Sequence, residues 1–181
     1  MIRILFTRHG QTDWNVQMKI QGQIEIPLNE TGISQAKTLH DQLLHEKIDL
    51  VFSSPLSRAL DTAKLAIGKR DIPIIQDDRL LEEYYGELEG ASRLDNPVYT
   101  KQRNSFFKRY PGGESYLDVY ARIASFFQDL KKNYDGKVET VLIVAHGGMS
   151  RVVNCYFHDM ENEDFPKYGI HNCQVVEYIL K

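Results

Sequence analysis

With 181 residues and a formal net charge of −3, the chain is long enough to bury a core without disulfide or metal staples and is expected to form one domain, 1–181. Acidic and basic residues nearly cancel, leaving no overall positive field for a polyanion, which argues against nucleic acid as a partner. Arg3 and Arg8 interrupt the apolar N-terminus MIRILFTRHG and no later run nears membrane-spanning length, so neither a cleaved leader nor a membrane partner is expected.

Ile2 to Phe6 is a short apolar run that stops at Thr7-Arg8-His9-Gly10, predicting a buried strand that delivers Arg8 and His9 at its end. With Thr31 as its N-cap, the spacing Ile33, Ala36, Leu39, Leu43 predicts a helix. A second strand is predicted within 49–53. Ser54-Pro55 then reads as an N-cap followed by proline at the first helical position, opening a helix with Arg58 in its first turn, a stripe of Leu56, Leu60, Ala63 and Ile67, and Gly68 as its stop. Ile72 to Ile75 predicts a third strand.

The segment 84–114 carries Gly86, Gly90, Pro97, Pro111, Gly112 and Gly113 among aromatic and basic residues, and is read as an insertion over a site. Leu117, Tyr120, Ile123, Phe127 and Leu130 predict a long amphipathic helix ending near Asp135-Gly136. TVLIVA, Thr140 to Ala145, predicts a central strand buried on both faces, stopping at His146-Gly147-Gly148 before another helix. Val175 to Leu180 supplies a last strand, at an edge. This alternation implies a three-layer α/β/α sandwich around a mostly parallel sheet.

Two histidines that each end a predicted strand and precede a glycine belong at strand carboxyl ends, where open α/β sheets build their sites. Arg8 and Arg58 can reach the same crevice, and two guanidinium forks there favour a phosphoryl group as guest. Cys155 and Cys173 lack zinc-site spacing and read as two buried free thiols, consistent with a reducing cytoplasm.

At these residues the chain resembles the histidine phosphatase superfamily, also called phosphoglycerate mutase-like. The resemblance runs through LFTRHGQTDWN, QGQIEIPLNETGISQA, SSPLSRALDTA, LLEEYYGELEG, PGGES and VAHGGMSRV, in family order across most of the chain. It implies that His9 is a nucleophile transiently phosphorylated, that Arg8, Arg58 and His146 hold the phosphoryl group, and that Glu82, four positions before Gly86, protonates the leaving oxygen, with Glu83 the alternative. It also implies that Asn15, Gln21 and Gly22 line the substrate pocket. Lys19 and Glu25 depart from the family, where arginine and aspartate are usual.

The chemistry is consistent with those roles. Neighbouring cations disfavour imidazolium and keep a nitrogen of His9 free, while its other nitrogen is expected to donate to a backbone carbonyl such as that of Gly10. Gly147, with the helix starting near Gly148, is expected to bring backbone amides to the phosphate. No cofactor or metal is called for: His9 and His146 as metal ligands would need further partners. The expected activity is hydrolysis of small phosphomonoesters. A phosphoglycerate mutase is the alternative, disfavoured because the stretch NPVYTKQRNSFFKRYPGGES lacks the Arg-Arg and Pro-Pro pattern of the mutases. A phosphate-binding protein without turnover is the alternative of another class. Bland readings pair Glu82 or Glu83 with Arg58 or Arg79, and make Tyr84, Tyr85, Phe106 and Phe107 either a lid or a satellite core. An apolar lid is also a candidate homodimer contact.

Overall fold

The computed structural model describes residues 1–181. Five strands, β1 (Ile2–Arg8), β2 (Leu50–Ser53), β3 (Ile74–Gln76), β4 (Thr140–Ala145) and β5 (Val175–Leu180), form one sheet in the order β3-β2-β4-β1-β5. All neighbouring pairs are parallel except β1 with β5, which is antiparallel and closes one edge. The helices are α1 (Asp13–Val16), α2 (Glu30–Leu43), α3 (Ser57–Ile67), α4 (Pro97–Arg103), α5 (Tyr116–Tyr134) and α6 (Gly147–Phe157).

The strand alternation of β4 divides the core. Val141, Ile143 and Ala145 pack with Phe126 and Phe127 of α5 and Val152 of α6 on one face. Leu142 and Val144 pack with Ala36 and Leu39 of α2 and Ala59 and Ala63 of α3 on the other. Helices therefore cover both faces, and β4 is buried along its whole length because each of its two side-chain rows meets a helical layer.

Register brings the strand ends level. Arg8 pairs with Ala145 and Ser53 with Val144, so the next residues, His9, Ser54 and His146, emerge side by side.

Helix starts and faces differ in places from the expected ones. Asn29, not Thr31, caps α2, its side chain accepting from the Gly32 amide at 2.9 Å. Ser54-Pro55 does not open α3, which begins at Ser57 without a cap from its own flank; the carboxylate of Glu25 caps it instead, accepting from the Ser57 amide at 3.1 Å and hydroxyl at 2.6 Å. A cap 32 residues upstream leaves no local signal. The buried face of α5 is Tyr116, Val119, Ile123, Phe126, Phe127 and Leu130, while Leu117 and Tyr120 are exposed, because two apolar stripes run along this helix and Phe126 fits edge-on against Phe52.

Segment 84–114 is closed at its base. Glu114 donates its amide to the Tyr84 carbonyl and Glu87 to that of Pro111. Gly86, at φ +57°, makes this approach, since a Cβ there would lie 2.1 Å from the Pro111 oxygen. Within the segment Tyr85, Tyr99 and Tyr110 form a satellite cluster with Ile20, whereas Phe106 and Phe107 line a separate apolar cleft with Leu117, Tyr120 and Val152.

Candidate active site

A cavity of about 240 Å³ opens at the carboxyl ends of β1, β2 and β4. Arg8, His9, Asn15, Gln21, Gly22, Arg58, Glu82 and Gly147 all line it. His146 is fully buried directly behind, its ring centroid 5.3 Å from that of His9 in an edge-to-face arrangement. All nine residues singled out in the sequence thus converge on one place.

The His9 ring is fixed by its own loop. Nδ1 lies 2.7 Å from the Gly10 carbonyl, which can only accept, so the proton resides on Nδ1 and Nε2 keeps its lone pair. Burial, then Arg58 and Arg8, hold the imidazole pKa well below its ordinary value. The backbone is pinned as well: Asn172 donates to the His9 carbonyl at 2.7 Å, and the Gly10 amide donates to Thr62 Oγ1 at 3.0 Å.

Arg58 is fully buried at the start of α3. Its Nη1 donates to the Ile24 carbonyl at 2.8 Å and its Nη2 to that of Gly22 at 2.6 Å, while Nε has no protein partner. Burial lowers its pKa to about 10. Arg8 donates Nη1 to the Ile170 carbonyl at 3.2 Å and likewise keeps an unpartnered Nε. Gly147 packs on this guanidinium: a Cβ there would lie 3.1 Å from its central carbon.

His146 Nε2 is 2.7 Å from Ser54 Oγ, and its Nδ1 is buried without a partner. Burial, then Arg58, push its pKa well down.

Glu82 and Glu83 face different surroundings. The Glu82 carboxylate lines the cavity, Oε2 accepting from the Gly148 amide at 2.9 Å and Oε1 from the Glu83 amide at 3.0 Å. Glu83 turns inward, almost fully buried with both oxygens unpartnered, and burial raises its pKa to about 8. Neither is ion-paired; Arg79 is engaged by Asp77 and Asp129 instead. Arg122 donates to the Glu82 and Arg79 carbonyls and pairs with Glu114, bracing the backbone at Glu82.

Thr12 orders the polar wall. Its hydroxyl donates to Gln21 Oε1 at 2.9 Å and its backbone amide donates to Asn15 Oδ1 at 3.0 Å, occupying both amide oxygens and leaving the amide NH₂ groups as the donors available to the cavity. Gly22 serves chiefly through its carbonyl, which holds Arg58.

Tyr85, read in the sequence as lid or satellite core, lines the cavity as well, and further lining residues were not singled out: Arg93, Tyr99, Arg103, Arg151 and Lys167. Ser54, against His146, was assigned to a cap. It follows β2 as His9 follows β1, and the strand-end argument applied to β2 would have found it. Arg151 lies five positions after His146 on the helix predicted to follow it; Arg93 and Arg103 had no signal beyond being basic residues in the insertion. Lys19 lines the cavity with its ammonium 5.3 Å from the Trp14 ring, and no group of three or more His, Cys, Asp or Glu stands together as a metal site.

Comparison with known proteins agrees with this geometry. Residues 4–181 match the family model of the histidine phosphatase superfamily, branch 1. The chain is 30% identical over 187 residues to 2,3-bisphosphoglycerate-dependent phosphoglycerate mutase 2 of Gloeobacter violaceus, covering 98% of this chain and 85% of that one. It is 29% identical to phosphoserine phosphatase 1 of Hydrogenobacter thermophilus, covering 95% and 83%. The structure of a mycobacterial glucosyl-3-phosphoglycerate phosphatase superposes with a TM-score of 0.87 at 29% identity, covering 98% of this chain and 92% of that one. A family match across nearly the whole chain, on a sheet whose ends gather two histidines and two arginines, makes this protein a member of the histidine phosphatase superfamily.

Proposed function

We propose that the protein hydrolyses small phosphomonoesters in two steps through a phosphohistidine at His9. The observation that carries this reading is the His9 ring itself, whose Nδ1 proton is held by the Gly10 carbonyl while burial, then Arg58 and Arg8, disfavour its charged form.

Nε2 attacks phosphorus, a P–N bond forms, and the ester P–O bond breaks. The unpartnered Nε of Arg8 and of Arg58 supply donors to the phosphoryl oxygens. With Ser54 donating to His146 Nε2, the neutral ring carries its proton at Nδ1 and adds a third donor. The leaving oxygen takes its proton from the Glu82 carboxyl. In the second step the Glu82 carboxylate removes a proton from water, the water oxygen attacks phosphorus, and the P–N electron pair returns to Nε2. Ester and water become alcohol and inorganic phosphate, and Glu82 and His9 are restored.

Charge neutralisation by Arg8 and Arg58 supplies what a metal would, so the reaction is metal-independent in this reading. Two thiols without a disulfide, Cys155 half-buried and Cys173 buried, support a cytoplasmic setting. Segment 84–114 acts as a lid over the cavity, to which it contributes Tyr85, Arg93, Tyr99 and Arg103.

The test is turnover of an aryl phosphate with EDTA present, with rapid-quench trapping of labelled protein. Wild type turns over and labels, and His9→Ala does neither. Interconversion of phosphoglycerates primed by a bisphosphate, without net phosphate release, would instead identify a mutase.

A further inference from the structure

We propose that Glu82 and Glu83 work as a pair holding one proton, kept on Glu83 at rest and passed to Glu82 through the Tyr85 hydroxyl when the leaving oxygen needs it. This pairing rests on the phosphatase reading above, in which Glu82 must begin the reaction protonated.

The surroundings of Glu82 favour its charged form. Oε2 accepts from the Gly148 amide and Oε1 from the Glu83 amide, so backbone donors occupy both oxygens of a group that has to act as a donor itself. Glu83 stands under the opposite condition. It is 1% exposed and neither of its oxygens has a partner, so a carboxylate there would be a buried charge without a hydrogen bond. The carboxylates of Glu82 and of Glu114 add to burial in opposing its ionisation, and together they outweigh Arg151 of α6, the cation that faces it. Tyr110 and Tyr116 also feel Glu83 and are held as neutral phenols. Two carboxyls that interact this closely titrate as a pair, and the proton they share rests on Glu83.

Tyr85 is placed to connect them. Glu82 Oε1 and the Tyr85 hydroxyl lie 2.6 and 2.9 Å from the position a Cβ of Gly148 would take, so the two face each other across one methyl-sized space. A carboxylate oxygen has a second lone pair, which leaves Oε1 able to accept from the phenol as well as from the amide. Burial, then Glu83 and Glu82, hold the phenol pKa well above its ordinary value. A phenol kept neutral takes a proton only as it gives one, which is what a relay requires. Its ring is set by Tyr110 and Tyr99, with centroids 4.9 and 6.0 Å away. Tyr85 lines the cavity, whereas the Tyr110 hydroxyl is buried without a partner and away from it. In the resting fold the phenol is hydrogen-bonded to neither carboxyl, and the link closes in the substrate complex, as catalytic contacts commonly do.

The Glu83 carboxyl gives its proton to the phenol oxygen as the phenol O–H bond breaks toward Glu82. Glu82 is then the acid and Glu83 the carboxylate, and Glu82 protonates the leaving oxygen. In the hydrolytic step Glu82 takes a proton from water, and the reverse passage returns it to Glu83. No proton is gained or lost by the pair over a turnover.

The test compares kcat/KM for benzyl phosphate, whose leaving oxygen needs a proton, with that for 4-nitrophenyl phosphate, whose leaving oxygen does not. Glu83→Gln keeps the shape of the neutral acid without its store, and lowers the benzyl-to-nitrophenyl ratio by about 10-fold. Its alkaline limb on benzyl phosphate, near the Glu83 value of about 8 in wild type, moves down by about one pH unit or more, because Glu82 alone loses its proton more readily. Tyr85→Phe lowers the ratio by about the same factor and makes the measurement if Glu83→Gln does not fold. Tyr110→Phe, which removes a hydroxyl from the same cluster but not from the cavity, keeps the wild-type ratio. A ratio and a limb that do not both change in Glu83→Gln, a ratio untouched by Tyr85→Phe, or an equal fall in Tyr110→Phe would overturn the relay and leave the phosphatase reading standing. Wild-type turnover of the nitrophenyl ester alone would do the same, and turnover of neither ester would overturn both.

Discussion

Ser54 Oγ lies 2.7 Å from Nε2 of His146, so the end of β2 supplies the hydrogen-bond partner of the second histidine's ring, and with the hydroxyl donating, as proposed above, the ring proton stays on Nδ1. Removing the hydroxyl leaves Nε2 buried without a partner and frees the ring to take the other tautomer. Ser54→Ala is expected to lower kcat/KM for an aryl phosphate by about 10-fold, in line with loss of one donor to the phosphoryl group, while circular dichroism remains native. Unchanged kcat/KM would show that the tautomer of His146 is set elsewhere.

Both histidines are held neutral, so activity should tolerate acid. Burial and Arg58 act in the same direction on His9 and His146, putting both below the ordinary 6.5. The acidic limb of kcat/KM is therefore expected below pH 6.5, and a profile whose limb falls at that value would contradict the assignment. Stability has the matching sign: below 6.5 the unfolded chain takes up protons that the folded chain does not, so stability falls on acidification through the unfolded value.

Glu83 works in the opposite direction. Its folded pKa of about 8 stands above the ordinary 4.5, so between these values the folded state keeps a proton that the unfolded state has lost. Stability then falls as pH rises through that window, by on the order of 1.4 kcal/mol per unit, and levels off above it. Glu83→Gln removes this dependence. Thermal melts should place the variant further above wild type at about pH 9 than at about pH 5, and a constant difference would show that Glu83 is not protonated in the fold.

Gly148 has a steric reason as well as an electronic one. A Cβ there would lie 2.6 Å from Glu82 Oε1 and 2.9 Å from the Tyr85 hydroxyl, both ends of side chains that can move. Gly148→Ala should fold but displace the acid, lowering kcat by about 100-fold for an alkyl phosphate that needs protonation of its leaving group and less for a nitrophenyl phosphate that does not. Equal losses on the two substrates would argue against Glu82 as the acid.

The helix that presents Arg58 depends on a carboxylate from outside it. Glu25→Ala should cost about 1 kcal/mol in urea denaturation, the usual worth of a lost cap, and raise KM for phosphate esters as Arg58 loosens. An unchanged midpoint would place the cap elsewhere.

What could be read in the sequence follows from how local the cause is. β1 and β4 were legible because both faces of each are buried, leaving apolar runs that stop abruptly at Arg8-His9 and His146. The Asn29 cap was passed over for a threonine two residues later of similar capping preference, and the start of α3 was misplaced because Glu25 reaches it from a different loop. Arg103 and Arg151 were illegible as lining residues for a further reason. Arg103 and Arg151 become partners only through the Pro166 carbonyl, and nothing in the chain order of residues 103, 151 and 166 announces that meeting.

The stretch from Pro166 to Cys173 has a temporal meaning. Its carbonyls hold Arg8, Arg103 and Arg151, Asn172 clips the carbonyl of His9, and the Cys173 amide closes on that of Arg8. His9 is thus held in place by a residue 163 positions further along the chain. Because synthesis runs in chain order, a nascent chain that has built β1 to β4 still lacks the contacts that fix Arg8 and His9, and these arrive only with the loop that leads into β5.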